Sequence, residues 1–395
     1  MLKQTFDKEQ LVKILTPSDV QKWRLLSQHG NIDTAMANIA NHWKQSNLSL
    51  SALRKTTVKQ KSVFSASTAE DDLSIRLLDR FIRRIYKVRQ SDRNRIIRQL
   101  LSLLKDSGKY HIIRLDIKDC YESIHLHKII SKMEDDLILS PECMSLLFQI
   151  NSELKDNHNV LGLPRGLSIS PTLAELYLEK LDNEISSSPS VIYSARYVDD
   201  IIVIVPQGKE VDVESHIRLM TKKMGFEINQ SSSKYFSGPS SQANFEYLGY
   251  SIQVTPANKK PNKVTATISN SNSKLNKIKT RIIKCLSDHK RQNDIALLKR
   301  RLEYISMLKA VKKGKNGDLL AGIAHNYQYV TDDFNCLKPI DGFLLHHLKS
   351  TRFSLTQPQL NCLNKITIYG NVKNKKIGNF SRIKTIQIMQ VWKDV

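Results

Sequence analysis

The sequence predicts an α+β fold, and three observations support that prediction. Two β-prone runs form a hairpin over residues 191–205, a strand-like alternation covers residues 110–117, and amphipathic helical patterns fill much of the remaining chain. At 395 residues the chain is long enough for two or three subdomains. We predict an N-terminal helical extension (1–70), a central mixed region (71–255) and a basic, helical C-terminal region (256–395).

The first hundred residues are mostly helical in pattern. Residues 1 to about 60 carry no catalytic signature, and the polar, basic stretch 54–61 indicates either a flexible surface loop or a phosphate-contacting finger. Over residues 71–104, apolar side chains recur every three or four positions, which predicts a helix. Basic residues crowd its other positions instead of alternating with acids, as a solvated face normally would.

The central region begins with a strand that ends in a carboxylate. Asp116 stands at the far end of the strand, where an aspartate opposes β-propensity. A helix rich in Leu and Met is predicted to follow to about residue 150, and then a turn-rich loop over residues 161–171. Ser170 is predicted to cap the next helix, with Pro171 in its first turn.

Asp199 and Asp200 lie at the tip of the predicted hairpin. Adjacent like charges between buried strands repel, so they must face water or be neutralised, and a hard divalent cation is the natural neutraliser. Taken alone, the pair fits an ordinary polar turn equally well. Asp116 supplies a third carboxylate and favours the metal interpretation.

The remainder of the chain continues with alternating elements. A helix is predicted near residues 213–224, strands at 225–229 and 245–252, a polar linker at 255–272, and amphipathic helices at 275–286 and 298–308.

The charge of the chain predicts a polyanionic partner. The formal net charge is +23, and residues 251–395 contain 27 Lys and Arg against 8 Asp and Glu. Nucleic acid is the most economical partner, since each phosphate contact releases counterions; a merely solvated basic surface is the alternative. Five widely spaced cysteines, the lack of a signal-peptide core and the absence of a long apolar run predict a cytoplasmic protein without a membrane partner.

Four ordered motifs resemble the reverse transcriptase family. They are Leu115-Asp116-Ile117-Lys118 with Tyr121 and Ser123-Ile124; Gly162-Leu163-Pro164-x-Gly166 with Ser170-Pro171; Tyr197-Val198-Asp199-Asp200; and Phe245-x-Tyr247-Leu248-Gly249-Tyr250. The resemblance covers about residues 70–255. It is nearest to bacterial enzymes of the retron and group II intron kind, and among them to the abortive-infection or phage-defence enzymes, with the smaller enzyme of the two-polymerase defence type as a candidate.

The resemblance implies a right-hand polymerase fold with fingers, palm and a helical thumb. It implies that Asp116, Asp199 and Asp200 are catalytic and bind two Mg²⁺ ions, for which Mn²⁺ could substitute, with the carbonyl of Ile117 completing the metal shell. Tyr121 takes the position of a ring that excludes the ribose 2′-hydroxyl; its alternative is a core tyrosine at a strand end.

The resemblance also assigns nucleotide and template contacts, with two departures. Arg165 stands before Gly166 where the family usually has Gln, and its always-charged fork could grip phosphate or stack on the template. Lys234 lies about two residues later than the expected lysine and could donate a proton to pyrophosphate. From position and charge, we predict triphosphate contacts among a small basic set in the fingers: Arg89, Arg93 and Arg95.

The implied function is RNA-directed DNA synthesis from deoxynucleotides, with a noncoding RNA as template, DNA as product, a role in antiviral defence, and a second reverse transcriptase or a homo-oligomer as candidate partner. Template-independent or protein-primed synthesis is one alternative, and a non-catalytic RNA-binding scaffold or maturase is another. An RNA-dependent RNA polymerase is disfavoured, since it would usually carry Gly-Asp-Asp and a small or acidic residue in place of Tyr121.

Overall fold

The computed structural model describes residues 3–58, 60–106, 108–257, 260–312, 319–380 and 382–392. Helices and antiparallel sheets are mixed along the chain, so the predicted α+β class is confirmed. The chain divides into two compact units. The first unit comprises residues 1–92 and 113–237, and the second comprises residues 93–112 and 238–395. The predicted boundaries at residues 70 and 255 stay a prediction.

The helices and strands alternate in short blocks. The helices are α1 (Lys8–Val12), α2 (Pro17–Lys22), α3 (Leu25–His29), α4 (Ile32–Gln45), α5 (Ala69–Ile85), α6 (Arg93–Leu104), α7 (Cys120–Ser123), α8 (Leu126–Asp136), α9 (Pro141–Ser152), α10 (Ser170–Ser186), α11 (Glu210–Lys223), α12 (Asn272–Gln292), α13 (Ile295–Ser306), α14 (Ile323–Asn326), α15 (Lys338–Lys349), α16 (Gln357–Leu363), α17 (Ile368–Lys373) and α18 (Arg382–Gln390). The strands are β1 (Arg54–Val58), β2 (Lys61–Ser65), β3 (Tyr110–Lys118), β4 (Tyr193–Tyr197), β5 (Asp200–Pro206), β6 (Glu227–Ile228), β7 (Phe236–Pro239), β8 (Asn244–Tyr247), β9 (Tyr250–Ala257), β10 (Lys260–Asn270), β11 (Lys309–Lys312) and β12 (Leu319–Ala321).

The sheet of the first unit runs in the order β4-β5-β3-β6. The continuous aliphatic run Ile201–Val205 of β5 is buried throughout, as expected of a central strand covered on both faces. Leu115 and Ile117 of β3 are buried beside it, and helices of the first unit contribute to the same apolar core. This packing fixes the strand ends that carry the aspartates.

The predicted helix over residues 71–104 is divided in two, because the structure ends α5 at Ile85 and begins α6 at Arg93. Lys87 has a φ of +52°, and the N–H of Val88 donates to the carbonyl of Arg83 at 3.0 Å. This is a left-handed helix stop, which usually carries glycine. Because a lysine occupies that position, the sequence does not indicate that the helix ends there.

The predicted helix up to residue 150 is also divided. The structure has α7, α8 and α9 in its place, with Leu137 in the left-handed region at φ +52°. The side chain of Ser140 then caps α9 by accepting from the N–H of Cys143, and Pro141 occupies its first position. A serine followed by proline is a start signal, so this boundary was readable from the sequence.

The flexible surface loop predicted as one form of the basic stretch 54–61 is wrong, because β1 and β2 pair there as an antiparallel hairpin. Arg54 pairs with Ser65 and Val58 pairs with Lys61. The side chain of Phe64 is buried in the core of the first unit and anchors the hairpin. Its outer strand is exposed along its length, so a phosphate contact there stays a prediction.

The second unit contains a sheet in the order β10-β9-β8 and a helical core around α12, α13 and α15. The predicted polar linker over residues 255–272 is wrong, since most of it forms β9 and β10. Ala266 and Ile268 alternate with Thr265 and Thr267, and the two apolar side chains are buried. That alternation is a strand pattern that the abundance of polar residues concealed. Among the described residues, no helix is long and apolar enough to cross a membrane.

Candidate active site

The hairpin of β4 and β5 presents two aspartates at its tip. Tyr197 pairs with Asp200, so Val198 and Asp199 form a two-residue turn. Val198 has a φ of +60°, an unfavourable conformation for a β-branched residue, of the kind that concentrates at functional sites. The predicted hairpin is therefore confirmed, and its turn is strained.

Arg196 stabilises this turn, and it was not identified from the sequence. Its guanidinium is buried and donates to the carbonyl of Val198 at 2.9 Å. The same group donates to Asp182 at 2.8 and 2.7 Å and to Glu175 at 2.7 Å, both on α10. A buried arginine with two carboxylate partners is well satisfied, so it can fix the hairpin tip against α10.

The structure brings the three predicted aspartates together. One carboxylate oxygen from each of Asp116, Asp199 and Asp200 lies within 4.8 Å of the other two. The N–H of Ile117 donates to the carbonyl of Asp199 at 2.9 Å, which joins the end of β3 to the hairpin turn. Three clustered carboxylates form the hard oxygen donor set that Mg²⁺ and Mn²⁺ prefer, so these residues fit a divalent ion. The metal role of the Ile117 carbonyl stays a prediction.

Two cations offset the clustered negative charge. Lys234 Nζ lies 2.6 Å from Asp116 Oδ2, and Arg114, which is buried on β3, donates to Asp200 Oδ1 at 2.9 Å. The amide of Asn229 donates to the other oxygen of Asp116 at 3.3 Å. Arg114 was not identified from the sequence, since a single arginine in a strand normally indicates a solvent-facing position.

The electrostatics of the cluster agree with its geometry. Burial raises the pKa of the Asp199 carboxyl, and the charges of Asp116 and Asp200 raise it further. Burial alone would lower the pKa of Lys234, but the hydrogen bond to Asp116 and the charges of all three aspartates outweigh it and raise that pKa above its ordinary value. The cluster therefore favours a bound cation and keeps Lys234 protonated.

Tyr121 lies beside the cluster in a small ionic network. The Arg165 guanidinium sits over the Tyr121 ring at 5.1 Å and makes a bidentate contact with Glu122 at 2.8 and 2.9 Å. Lys61 of β2 pairs with Asp119 at 2.8 Å and lies 3.5 Å from Glu122. Burial raises the pKa of Tyr121, so the ring stays neutral. Arg165 thus contacts the predicted sugar-sensing ring directly.

The glycines of the second motif allow close backbone approach. A side chain at Gly162 would meet the backbone of Glu122, and one at Gly166, whose φ is +98°, would meet the backbone of Phe64. The N–H of Phe64 donates to the carbonyl of Arg165 at 2.7 Å. The loop is therefore fastened between α7 and the β1–β2 hairpin.

The predicted N-cap at Ser170 is wrong. Ile169 is the N-cap of α10, and the Ser170 hydroxyl donates to the carbonyl of Pro164 at 2.5 Å. Ser170 is buried, so its hydroxyl closes the loop instead of capping the helix.

The predicted basic finger residues differ in their surroundings. Arg89 is exposed in the first unit, whereas Arg93 and Arg95 begin α6 of the second unit. Arg93 donates to the carbonyl of Leu248 at 2.9 and 2.6 Å and to that of Asn326 at 2.7 Å. These contacts give Arg93 a structural role in the turn between β8 and β9. Triphosphate contact by the three arginines stays a prediction.

Comparisons with known proteins show which family the sequence resembles. A family model described as "Reverse transcriptase (RNA-dependent DNA polymerase)" matches residues 18–252. No curated protein matches the chain. A matching solved structure is described as apo telomerase from Candida Tropicalis truncated from the C-terminal domain, at 12% identity and a TM-score of 0.37. The match covers 55% of each chain, so the chain spans about half the length of that structure.

Proposed function

The chain belongs to the reverse transcriptase family, and from that premise we propose that it is an RNA-directed DNA polymerase that joins deoxynucleotides by two-metal-ion phosphoryl transfer. The observation that carries the proposal is the convergence of Asp116, Asp199 and Asp200 within 4.8 Å. Two adjacent turn carboxylates and a third from another strand repel one another. A fold that brings them together is therefore stabilised by a bound cation.

The three aspartates would hold two Mg²⁺ ions, or Mn²⁺ in their place, with the Ile117 carbonyl as a further ligand. When bound, such ions activate a primer hydroxyl and neutralise the triphosphate charge. Lys234 remains protonated through its contact with Asp116, which suits it to donate a proton to the departing pyrophosphate.

Tyr121 discriminates against the ribose 2′-hydroxyl in this proposal. The ring is half-buried and is covered by the Arg165 guanidinium, so it has little freedom to withdraw. Arg165 places the loop against the ring, and Gly166 allows the loop to approach the backbone of Phe64 closely. Arg89, Arg93 and Arg95 are proposed as nucleotide or template contacts on charge alone.

The template proposed is a noncoding RNA, and the biological role proposed is antiviral defence in the cytoplasm. The net charge of +23 supports a nucleic-acid partner, and the five cysteines are unpaired, as expected in a reducing compartment. A second reverse transcriptase or a second copy of this chain is the proposed protein partner.

A polymerisation assay with purified protein tests the proposal. Wild type and the Asp199→Ala/Asp200→Ala variant are incubated with Mg²⁺ and labelled deoxy- or ribonucleotides, with and without the co-purified RNA. Deoxynucleotide incorporation that vanishes in the variant and after RNA removal is the expected result, and sequencing the product identifies the template. Synthesis that survives RNA removal would indicate untemplated or protein-primed synthesis, and tight RNA binding without synthesis would indicate a scaffold.

A further inference from the structure

A basic cavity of about 250 Å³ lies in the second unit, beside the amino-terminal half of α12. Its cationic lining consists of Lys274, Lys277 and Arg281 from α12 and Lys309 from β11. Along the described part of its wall, there is neither aspartate nor glutamate. Four cations therefore face one small space without a lining carboxylate, so an anion that enters it is attracted by all four.

The α12 residues share one helix face. Lys274, Lys277 and Arg281 are separated by three and four positions, which places them one above another along the helix. A carboxylate does lie near the start of α12, since Glu246 accepts from the N–H of Asn272 at 2.7 Å. Glu246 is not part of the cavity wall.

Arg281 and Lys309 are incompletely satisfied. The Arg281 Nε atom is buried without a hydrogen-bond partner among the described residues, and burial lowers the pKa of this guanidinium. Lys309 Nζ donates to the carbonyl of Tyr304 at 3.3 Å and lies 3.4 Å from the centre of its ring. Burial, together with the charge of Arg281, lowers the pKa of Lys309 to about 8. Both groups would gain from an anionic partner.

The rest of the wall is suited to a nucleotide. Tyr304 and Tyr327 supply aromatic surfaces, and Asn270 supplies an amide. Gly322, with a φ of +141°, lines the cavity with bare backbone. A side chain at this position would meet the carbonyl of Met307. Aromatic faces beside cations are the features that proteins use to bind a base next to its phosphates.

We propose that this cavity binds the phosphate chain of a nucleoside 5′-di- or triphosphate, either free or at the 5′ end of an RNA strand. A single backbone phosphodiester carries one charge, whereas four cations match a chain of two or three phosphates. The small volume of the cavity suits a terminal phosphate group, whereas the backbone of a strand requires a continuous groove. None of the cavity residues belongs to the aspartate cluster, so the binding does not depend on a divalent metal or on polymerase activity.

Calorimetric titration of the full chain in excess EDTA tests the proposal. The probes are ATP, dATP, and one short RNA prepared with a 5′-triphosphate or with a 5′-hydroxyl. EDTA suppresses metal-dependent nucleotide binding at the aspartate cluster. Binding of ATP and dATP identifies the free nucleotide as the ligand, whereas binding of the triphosphorylated RNA alone identifies the strand end.

Paired variants test whether triphosphate binding depends on the cavity or on the general basic charge of the protein. Arg281→Gln/Lys309→Gln is expected to weaken triphosphate binding about tenfold or more. The charge-matched control Lys349→Gln/Lys365→Gln, which changes exposed lysines of the same unit outside the cavity, should keep wild-type affinity. Three results would overturn the proposal: equal losses in both variants, no binding by any probe, or equal affinity for the two RNA ends together with no binding of ATP and dATP.

A second variant tests the proposal if Arg281→Gln/Lys309→Gln does not fold. Lys274→Gln/Lys277→Gln changes only part-exposed positions on α12 and should also weaken triphosphate binding. A folded protein with unchanged affinity would contradict the proposal. Because excess EDTA removes divalent metal from this assay, its outcome is separate from that of the polymerase assay.

Discussion

Lys234 Nζ lies 2.6 Å from Asp116 Oδ2, within a cluster of three carboxylates. The Asp116 side chain is 4% exposed and that of Lys234 is 39% exposed, so the lysine reaches into the cluster from its open side. An ammonium in this position offsets charge that a divalent cation would otherwise neutralise. Lys234 therefore stabilises the metal-free protein.

Replacing this lysine should make the fold more dependent on metal. Lys234→Met is expected to destabilise the metal-free protein by about 1–2 kcal/mol, because the aspartates lose a counterion. Addition of Mg²⁺ should then raise the melting temperature by more than it does in wild type. The control is Lys118→Met, whose lysine pairs with the exposed Glu227. An identical Mg²⁺ response in Lys234→Met and wild type would show that Lys234 does not offset the cluster.

Tyr121 should set the preference for deoxynucleotides. Tyr121→Ala is expected to lower the ratio of kcat/KM for deoxy- over ribonucleotides by about tenfold or more, because the ring no longer meets the 2′-hydroxyl. Tyr121→Phe keeps the ring and should keep the ratio. Arg165→Met removes the group that covers the ring and should give a smaller loss of discrimination. A ratio that is unchanged in Tyr121→Ala would assign the ring to packing alone.

Arg196 should be essential for the position of the hairpin tip. Arg196→Met leaves Glu175 and Asp182 without their cation and is expected to cost about 3–5 kcal/mol in the free energy of unfolding. Denaturant unfolding measures this cost. Arg218→Met removes a half-buried arginine that pairs with Glu214 within α11, and it should cost less than about 1 kcal/mol. Similar costs for the two variants would show that the Arg196 contacts do not fix the tip.

Lys309 should destabilise the ligand-free protein near neutral pH. Its pKa is about 8 in the folded protein, below the ordinary 10.5, so folding carries a penalty below pH 8 that is relieved as pH rises from 8 toward 10.5. Lys309→Met is therefore expected to raise the free energy of unfolding by about 2 kcal/mol at pH 7 and by much less at pH 9.5. Lys349→Met, at an exposed position, controls for the lost charge. A gain that does not change with pH would contradict this explanation.

The sequence predicted those parts of the site that combine a residue type with a strand end or turn. Asp116 was identifiable because a carboxylate opposes β-propensity at the end of a strand, and Asp199 and Asp200 because adjacent like charges at a hairpin tip favour a cation. Arg114 and Arg196 were not, because a lone arginine in a strand has no local signal that distinguishes a buried ion pair from a solvated one. Their partners lie far away in the sequence, and only the tertiary fold brings them together.

Element boundaries were lost where the backbone departs from common turn chemistry. Lys87 and Leu137 end helices in the left-handed region, where glycine or asparagine would have given a warning. The strand β10 was mistaken for a linker because its threonines, serine and asparagines mask a period-two pattern. The β4–β5 hairpin and the amphipathic helices α10, α12 and α13, whose patterns repeat over many residues, were predictable.

Primer extension on an RNA template with Mg²⁺ and deoxynucleotides tests the central claim most directly, by comparing Asp116→Asn with wild type. The substitution keeps the size of the side chain but removes a carboxylate from the cluster. We expect extension to fall by about a thousandfold or more, while Asp212→Asn, at an exposed position of α11, retains wild-type extension. Extension by Asp116→Asn within a few fold of wild type would contradict the assignment of the aspartate cluster as the catalytic metal site.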